Sequence, residues 1–195
     1  MDNYGEILRY MGHSGEADSR LEELIKSSLE KLKLVCEKRH VIIQLPCIVE
    51  GSIVSLGELS IQSRDLAANL GGSKQVHIFA ATLGAGVDRL LAQRSKMDSA
   101  EALCLQACGA AEIEALCDKI EGDLKSSLEA QGLCTRPRFS PGFGDFSISH
   151  QTELLSLLEA PKRIGLGETE THMLIPLKSV TALIGAERST GKEAS

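Results

Sequence analysis

The chain has 195 residues, of which 43% are hydrophobic, 25% charged and only 3% aromatic, with no tryptophan. That composition describes one globular unit with an aliphatic core, or two small ones at most. A net charge of −6, with no cluster of Lys and Arg on any predicted face, argues against a nucleic-acid partner, which needs a basic footprint. No apolar run approaches the length of a membrane span. Residues 1–12 lack the basic-then-apolar pattern of an export signal, so a cytoplasmic location is expected. Six cysteines, at 36, 47, 104, 108, 117 and 134, form no C-x-x-C pair and no regular frame. They read as small buried apolar residues in a reducing compartment rather than as metal ligands or disulfides.

Residues 1–11 make a short amphipathic opening with Ile7, Leu8 and Met11 apolar. Asp18 or Ser19 is placed to cap the next helix, where Leu21, Leu24, Ile25, Leu29, Leu32 and Val35 recur at helical spacing. Short β-rich runs follow at 41–45, 47–49, 53–56 and 59–61, divided by Pro46, Glu50-Gly51 and Gly57 as in an antiparallel meander. Ser63 opens a short helix through Leu70 that Gly71-Gly72 stops. Residues 76–83 predict a central strand, running into G-A-G at 84–86 and a helix to about Arg94. A strand, G-x-G and a helix resemble a nucleotide-binding turn, but Arg89 stands where the third glycine belongs and no G-K-[ST] follows. The segment reads first as a tight strand-to-helix turn and second as a phosphate contact.

Asp98 or Ser99 starts the longest helix, with Glu101 placed to complete a capping box. Residues 102–111 are small and apolar nearly all round, the mark of a helix approached closely on several sides. Glu112 and Glu114 interrupt the helix where this section ends, facing either solvent or a cleft. Gly132 ends it. Ser149 is placed to cap a helix from His150 to about Glu159, terminated by Pro161. Residues 168–175 and 179–184 read as strands. Residues 1–185 are expected to form one domain, with 186–195 a frayed tail. Strands mixed with helices, without βαβ regularity, make the fold class α+β, an antiparallel β-sheet with helices packed against it.

Between the longest helix and the helix from His150 lies R-P-R-F-S-P-G-F-G-D-F at 136–146, with two of the chain's five prolines and three of its four phenylalanines. Such a segment cannot continue a helix, and it presents backbone groups in a shaped loop, either as a connector or as a ligand wall. No Ser-His-Asp order, G-x-S-x-G elbow or H-E-x-x-H is present, so no catalytic residue and no metal ligand is assigned. The expected site is a binding cleft made of Arg138, the backbone of 140–144 with Ser140 and Gly142, the ring of Phe143, and a carboxylate on a neighbouring helix. That set suits a zwitterion bearing an aromatic ring, since Arg takes a carboxylate and Glu an ammonium.

R-F-S-P-G-F-G-D-F at 138–146, H-Q-x-x-L-L at 150–155 and I-G-L-G-E-T-E-T-H-M-L-I-P-L-K-S-V-T-A-L-I-G at 164–185 resemble, in this order, the activation domain of cobalamin-dependent methionine synthase. The short stand-alone relatives of that domain are the nearest in pattern. F-A-A-T-L-G-A-G-V-D-R-L at 79–90 and A-C-G-A-A-E-I-E-A-L-C-D at 107–118 are also similar to them, so the resemblance spans about residues 7–185.

The resemblance implies a protein that binds S-adenosylmethionine and supports reductive methylation of inert cob(II)alamin, with an electron from a flavodoxin or similar donor. It puts the ligand's carboxylate end on Arg138, a backbone contact at Ser140, ring packing on Phe143 where the family has Tyr, and a ligand-binding acid at Glu114. Glu112 lies two residues from that acid, and Glu6 is a loose counterpart of an N-terminal one. No D-x-H-x-x-G cobalamin motif and no zinc-binding cysteine set occurs, so the cobalamin is expected in trans, on a separate methionine synthase or other corrinoid protein. The sequence stops before the tyrosine-containing segment of the larger enzymes, so one wall of the expected site is absent or comes from a partner. The Phe143 departure keeps open an alternative, a non-catalytic binding or assembly module for a corrinoid methyltransferase system.

Overall fold

A computed structural model describes residues 3–13, 15 and 17–188 of the chain. Helices α1 (Tyr4–Tyr10) and α2 (Ser19–Val35) come first, and Asp18 caps α2 by accepting the Leu21 N–H at 2.8 Å. Strands β1 (Arg39–Glu50), β2 (Ile53–Leu56) and β3 (Leu59–Gln62) then form the expected meander. Ser63 caps α3 (Arg64–Leu70), which leads to β4 (Gln75–Thr82) and α4 (Ala85–Arg94). The long α5 (Ser99–Glu129) precedes β5 (Leu133–Thr135). After the 136–146 loop come a single 3-10 turn, α6 (Gln151–Leu157), α7 (Ala160–Ile164), the paired β6 (Gly167–Glu168) and β7 (Leu174–Ile175), and β8 (Ser179–Arg188).

Six strands make one antiparallel sheet in the order β3-β2-β1-β4-β8-β5, with β6 and β7 a separate two-stranded ribbon. The fold is therefore α+β, as expected. β4 lies at its centre because both its faces are apolar. Phe79 and Ala81 meet α1, α2, α4 and α5 on one side, while Val76, Ile78 and Ala80 meet α3, α6 and α7 on the other. Two aliphatic cores thus sandwich one sheet.

α5 spans 31 residues, about 46 Å at 1.5 Å per residue. Its small residues serve close approach, since a Cβ on Gly109 would stand 3.1 Å from Cε of Lys178, whose stem crosses the helix there. Asp98 caps α5 at Ala100 and Glu101, but Glu101 does not complete the capping box. Its carboxylate is buried and pairs with Lys31 at 2.5 Å and Arg94 at 3.6 Å, tying α2, α4 and α5 together.

Several boundaries differ from the sequence expectation. β1 runs unbroken through Pro46, because the Cys47 N–H bonds to the Lys74 carbonyl. Alternation then turns the Pro46 nitrogen to the opposite edge, where pairing with β2 begins only at Cys47. Ser147, not Ser149, caps the turn before α6, and the helix stops at Leu157 because Glu159 takes a left-handed conformation. Pro161 then sits in the first turn of α7, where its missing donor is harmless, rather than ending a helix. The run 168–175 is not one strand: Thr169 exchanges bonds with Met173, folding it into the β6–β7 hairpin. β5 was not expected. By pairing with 186–188 it carries the sheet past Gly185, with Ala186 buried, so the expected tail starts beyond Arg188 at the earliest, and residues 189–195 lie outside the described ones.

Candidate functional site

The 136–146 loop begins as a continuation of β5 along the edge of β8. The Arg136 N–H bonds to the Gly185 carbonyl at 2.8 Å, and Phe139 exchanges both backbone bonds with Leu183, at 2.9 and 2.8 Å. The two arginines part company here. The Arg136 guanidinium holds the Asn69 carbonyl at 2.8 Å and the Ala68 carbonyl at 3.3 Å, satisfying the last turn of α3, and it pairs with Glu187. Arg138 turns the other way, onto α5.

Beyond Phe139 the loop folds on itself. The Gly142 N–H bonds to the Phe146 carbonyl at 2.7 Å and the Phe143 N–H to that of Ser140 at 3.3 Å. Gly144 has φ +55°, and a Cβ there would lie 2.0 Å from the Asp65 carboxylate, so only glycine fits. Asp145 next to it caps α3 from outside, its carboxylate accepting from the Ser63 hydroxyl at 2.5 Å and the Arg64 and Asp65 N–H groups at 2.9 and 3.1 Å. These bonds, the Ser63 hydroxyl foremost, hold its carboxyl down at about 2. Asp65 answers by accepting the Asp145 N–H at 3.1 Å.

This loop, α5, α6 and β8 enclose a cleft of about 310 Å³. Glu114 and Arg138 form one wall, paired at 2.5 Å. Asp118 and Glu121 also approach the Arg138 guanidinium, at 3.5 and 3.8 Å, so three carboxylates on one stripe of α5 surround one cation. Ser140, Pro141 and Phe143 supply the opposite wall, and the Phe143 ring is 64% exposed, tilted against Phe139. Gly142 shapes the turn without lining the cleft.

The floor holds polar groups that the residue types alone did not single out. Gln151, only 5% exposed, accepts the Thr181 hydroxyl at 2.5 Å, and both residues line the cleft. Both belong to the H-Q and K-S-V-T segments quoted above, which were the available signal. β8 adds backbone groups. Leu183 turns its N–H and C=O to Phe139, so by the alternation of an antiparallel ladder Thr181 turns its own to the same edge. At Thr181 the loop has already turned away. One residue's donor and acceptor therefore open side by side onto the cleft.

Glu112 and Glu6 are elsewhere. Glu112 pairs with Lys38 at 2.5 Å and Glu6 with Arg9 at 2.5 Å, and neither lines the cleft. All six cysteines are free thiols, and burial pushes Cys117, beneath Arg138, up to about 12. Among the described residues no group of three or more His, Cys, Asp or Glu side chains is arranged to hold a metal ion, and no helix is long and apolar enough to cross a membrane. The G-A-G turn at 84–86 has a packing explanation. A Cβ on Gly86 would stand 2.3 Å from the Val35 carbonyl oxygen, so the glycine admits the end of α2.

No protein-family model matches the sequence, and a search of curated proteins finds no match. Among solved structures, the crystal structure of the MetH reactivation domain bound to AdoHcy superposes with a TM-score of 0.70, covering 98% of this chain and 71% of that one at 16% sequence identity. The superposition extends over nearly the whole of this chain, which has the fold of the MetH reactivation domain.

Proposed function

We propose that the chain is a reactivation component that binds S-adenosylmethionine in the 310 Å³ cleft and supports reductive methylation of cob(II)alamin held by a corrinoid partner. The observation that carries this reading is the convergence of Arg138 and Glu114, 24 residues apart in sequence, at 2.5 Å in the wall of one cleft. The solved domain with the same fold is bound to AdoHcy, which supports a nucleoside of that kind as ligand here. The residues fit such a group. Glu114 would take the ligand's ammonium and Arg138 its carboxylate, with the free Thr181 edge and the Gln151 carboxamide facing polar atoms of the heterocycle or ribose, and Phe143 covering an apolar face.

S-adenosylmethionine supplies an activated methyl group, and the protein's part is to bind it, orient it and exclude water. None of these tasks needs a general acid or base. Isothermal titration of the whole chain with S-adenosylmethionine tests the reading directly, and no heat of binding up to millimolar concentration, with or without a corrinoid protein, refutes it.

A second reading has its own observation. Phe143, Met173, Ile175 and Leu177 are all exposed large apolar residues, on the loop, the hairpin and the segment leading into β8. They suit an assembly module that grips a corrinoid protein without ligand. A complex whose recovery is unaffected by S-adenosylmethionine, from a chain that does not bind it, supports this second reading over the first.

A further inference from the structure

Arg138 has more counter-charge than it needs. Glu114 at 2.5 Å accepts a short charge-assisted bond from Nη2, whereas Asp118 and Glu121 approach Nη1 only to 3.5 and 3.8 Å, and Nη1 has no hydrogen-bond partner among the described residues. Residues 114, 118 and 121 follow one another at four- and three-residue spacing on α5, where like charges repel and cost the helix stability. Among the described residues no other Lys or Arg forms an ion pair with Asp118 or Glu121, and of the neighbouring cations Lys125 is paired with Glu129 and Arg136 with Glu187. Behind the Arg138–Glu114 wall of the cleft, α5 therefore carries two carboxylates in excess, in the adjoining depression rather than on the cleft surface.

We propose that this surplus selects the ligand by charge, so that the cleft binds a nucleoside carrying a net positive charge, a sulfonium, in preference to the neutral thioether it becomes on losing its methyl group. This rests on the reading that the cleft takes an S-adenosyl ligand. S-adenosylmethionine carries a sulfonium, an ammonium and one carboxylate; S-adenosylhomocysteine lacks the sulfonium and is neutral overall. Asp118 and Glu121 touch neither the cleft surface nor a ligand placed in it. They act through the field they add at Arg138 and Glu114, and so are positioning and selectivity residues rather than contact residues. Glu121 is 30% exposed and Asp118 71% exposed, so solvent and salt screen the field. Across a cleft, two partly screened charges support a discrimination of about threefold to tenfold. The consequence is directional, because spent ligand leaves more readily than fresh ligand.

The test is isothermal titration of the whole chain with three ligands: S-adenosylmethionine, S-adenosylhomocysteine, and an analogue with a protonated amine in place of the sulfonium. At low salt both cationic ligands are expected to bind about threefold to tenfold tighter than the thioether. The gap is expected to narrow in Asp118→Asn/Glu121→Gln and in half-molar salt. The separate single substitutions keep the test available if the double variant folds poorly. Equal affinity for the three ligands, or a gap unchanged in the folded neutral variants, overturns the inference while leaving the binding reading intact. Failure of all three to bind overturns both.

Discussion

Arg138 joins two structures that would otherwise be independent, the acidic stripe of α5 and the wall of the cleft. Arg138→Ala removes the single cation among three carboxylates, so it should loosen α5 against the loop and, on the proposed function, weaken S-adenosylmethionine binding by about 1.5–3 kcal/mol, the worth of a lost charge-assisted bond. Titration calorimetry reads the second effect. Arg138→Lys, which keeps the charge without the fork, should recover only part of it. Asp145 makes a different kind of statement, about acid. Its carboxyl, held at about 2 by the Ser63 hydroxyl and the α3 amides, stays ionised in the fold while an unfolded chain protonates near the ordinary 3.8. The stabilisation is complete above that value and is lost as the pH falls from it towards about 2. Asp145→Asn should accordingly flatten the stability profile in that window, as followed by denaturant melts from pH 5 to pH 2.

At the scale of elements, glycines distinguish packing from mere helix breaking. Gly122, exposed in the C-terminal part of α5, has no atom within 4 Å of where a methyl group would sit, whereas Gly86 would drive one onto the Val35 backbone. Gly122→Ala should raise stability by about 0.5–1 kcal/mol through helix propensity. Gly86→Ala should lower it by about 1–3 kcal/mol, since α2 and α4 must separate. Urea midpoints of the two variants settle the signs.

The same elements show how far a sequence can be read. Helices with a cap and a period, such as α2 behind Asp18 and α3 behind Ser63, are legible because their signals are local. Those features that misled depend on what lies across space. Glu112 and Glu114 are two residues apart and point about 200° apart on one helix. Only the third dimension shows Lys38 opposite the first and Arg138 opposite the second. Likewise Pro46 looks like a strand break until the second partner of β1 is known, and β5 is too short to carry a pattern of its own. The loop 136–146 was legible as a shaped loop. Its neighbours Gln151 and Thr181 were not, because a Gln and a Thr in ordinary helical and strand positions bear no mark of facing a cleft.

The whole molecule is a sheet between two cores, and its weak point under mild acid is expected within one of them. His77 lies buried on the central strand, opposite Gln44 of β1 and Ile184 of β8, its Nδ1 without a hydrogen-bond partner among the described residues, and burial lowers its pKa. A folded pKa below the unfolded value means that the unfolded chain takes up a proton first. Stability is therefore complete above about 6.5, the ordinary histidine value, and is lost as the pH falls through it. The melting temperature should drop between pH 7.5 and pH 5.5, and His77→Gln should remove most of that drop. The loss precedes the Asp145 window, so acid should act first at the sheet centre and only later at the loop.

That loop is fastened to both ends of one short helix. Arg136 holds the final carbonyls of α3 and Asp145 holds its first amides, across seven residues of helix. Neither can fray without releasing the other, so helix and loop should exchange their amide hydrogens as one cooperative unit rather than as a stable helix beside a mobile loop. The amides of Ala67, Gly142 and Phe146 should then share one opening free energy in native-state exchange, and Asp145→Asn should lower it for all three together. A cleft wall of this kind does not flicker open residue by residue. It is either assembled with α3 or absent.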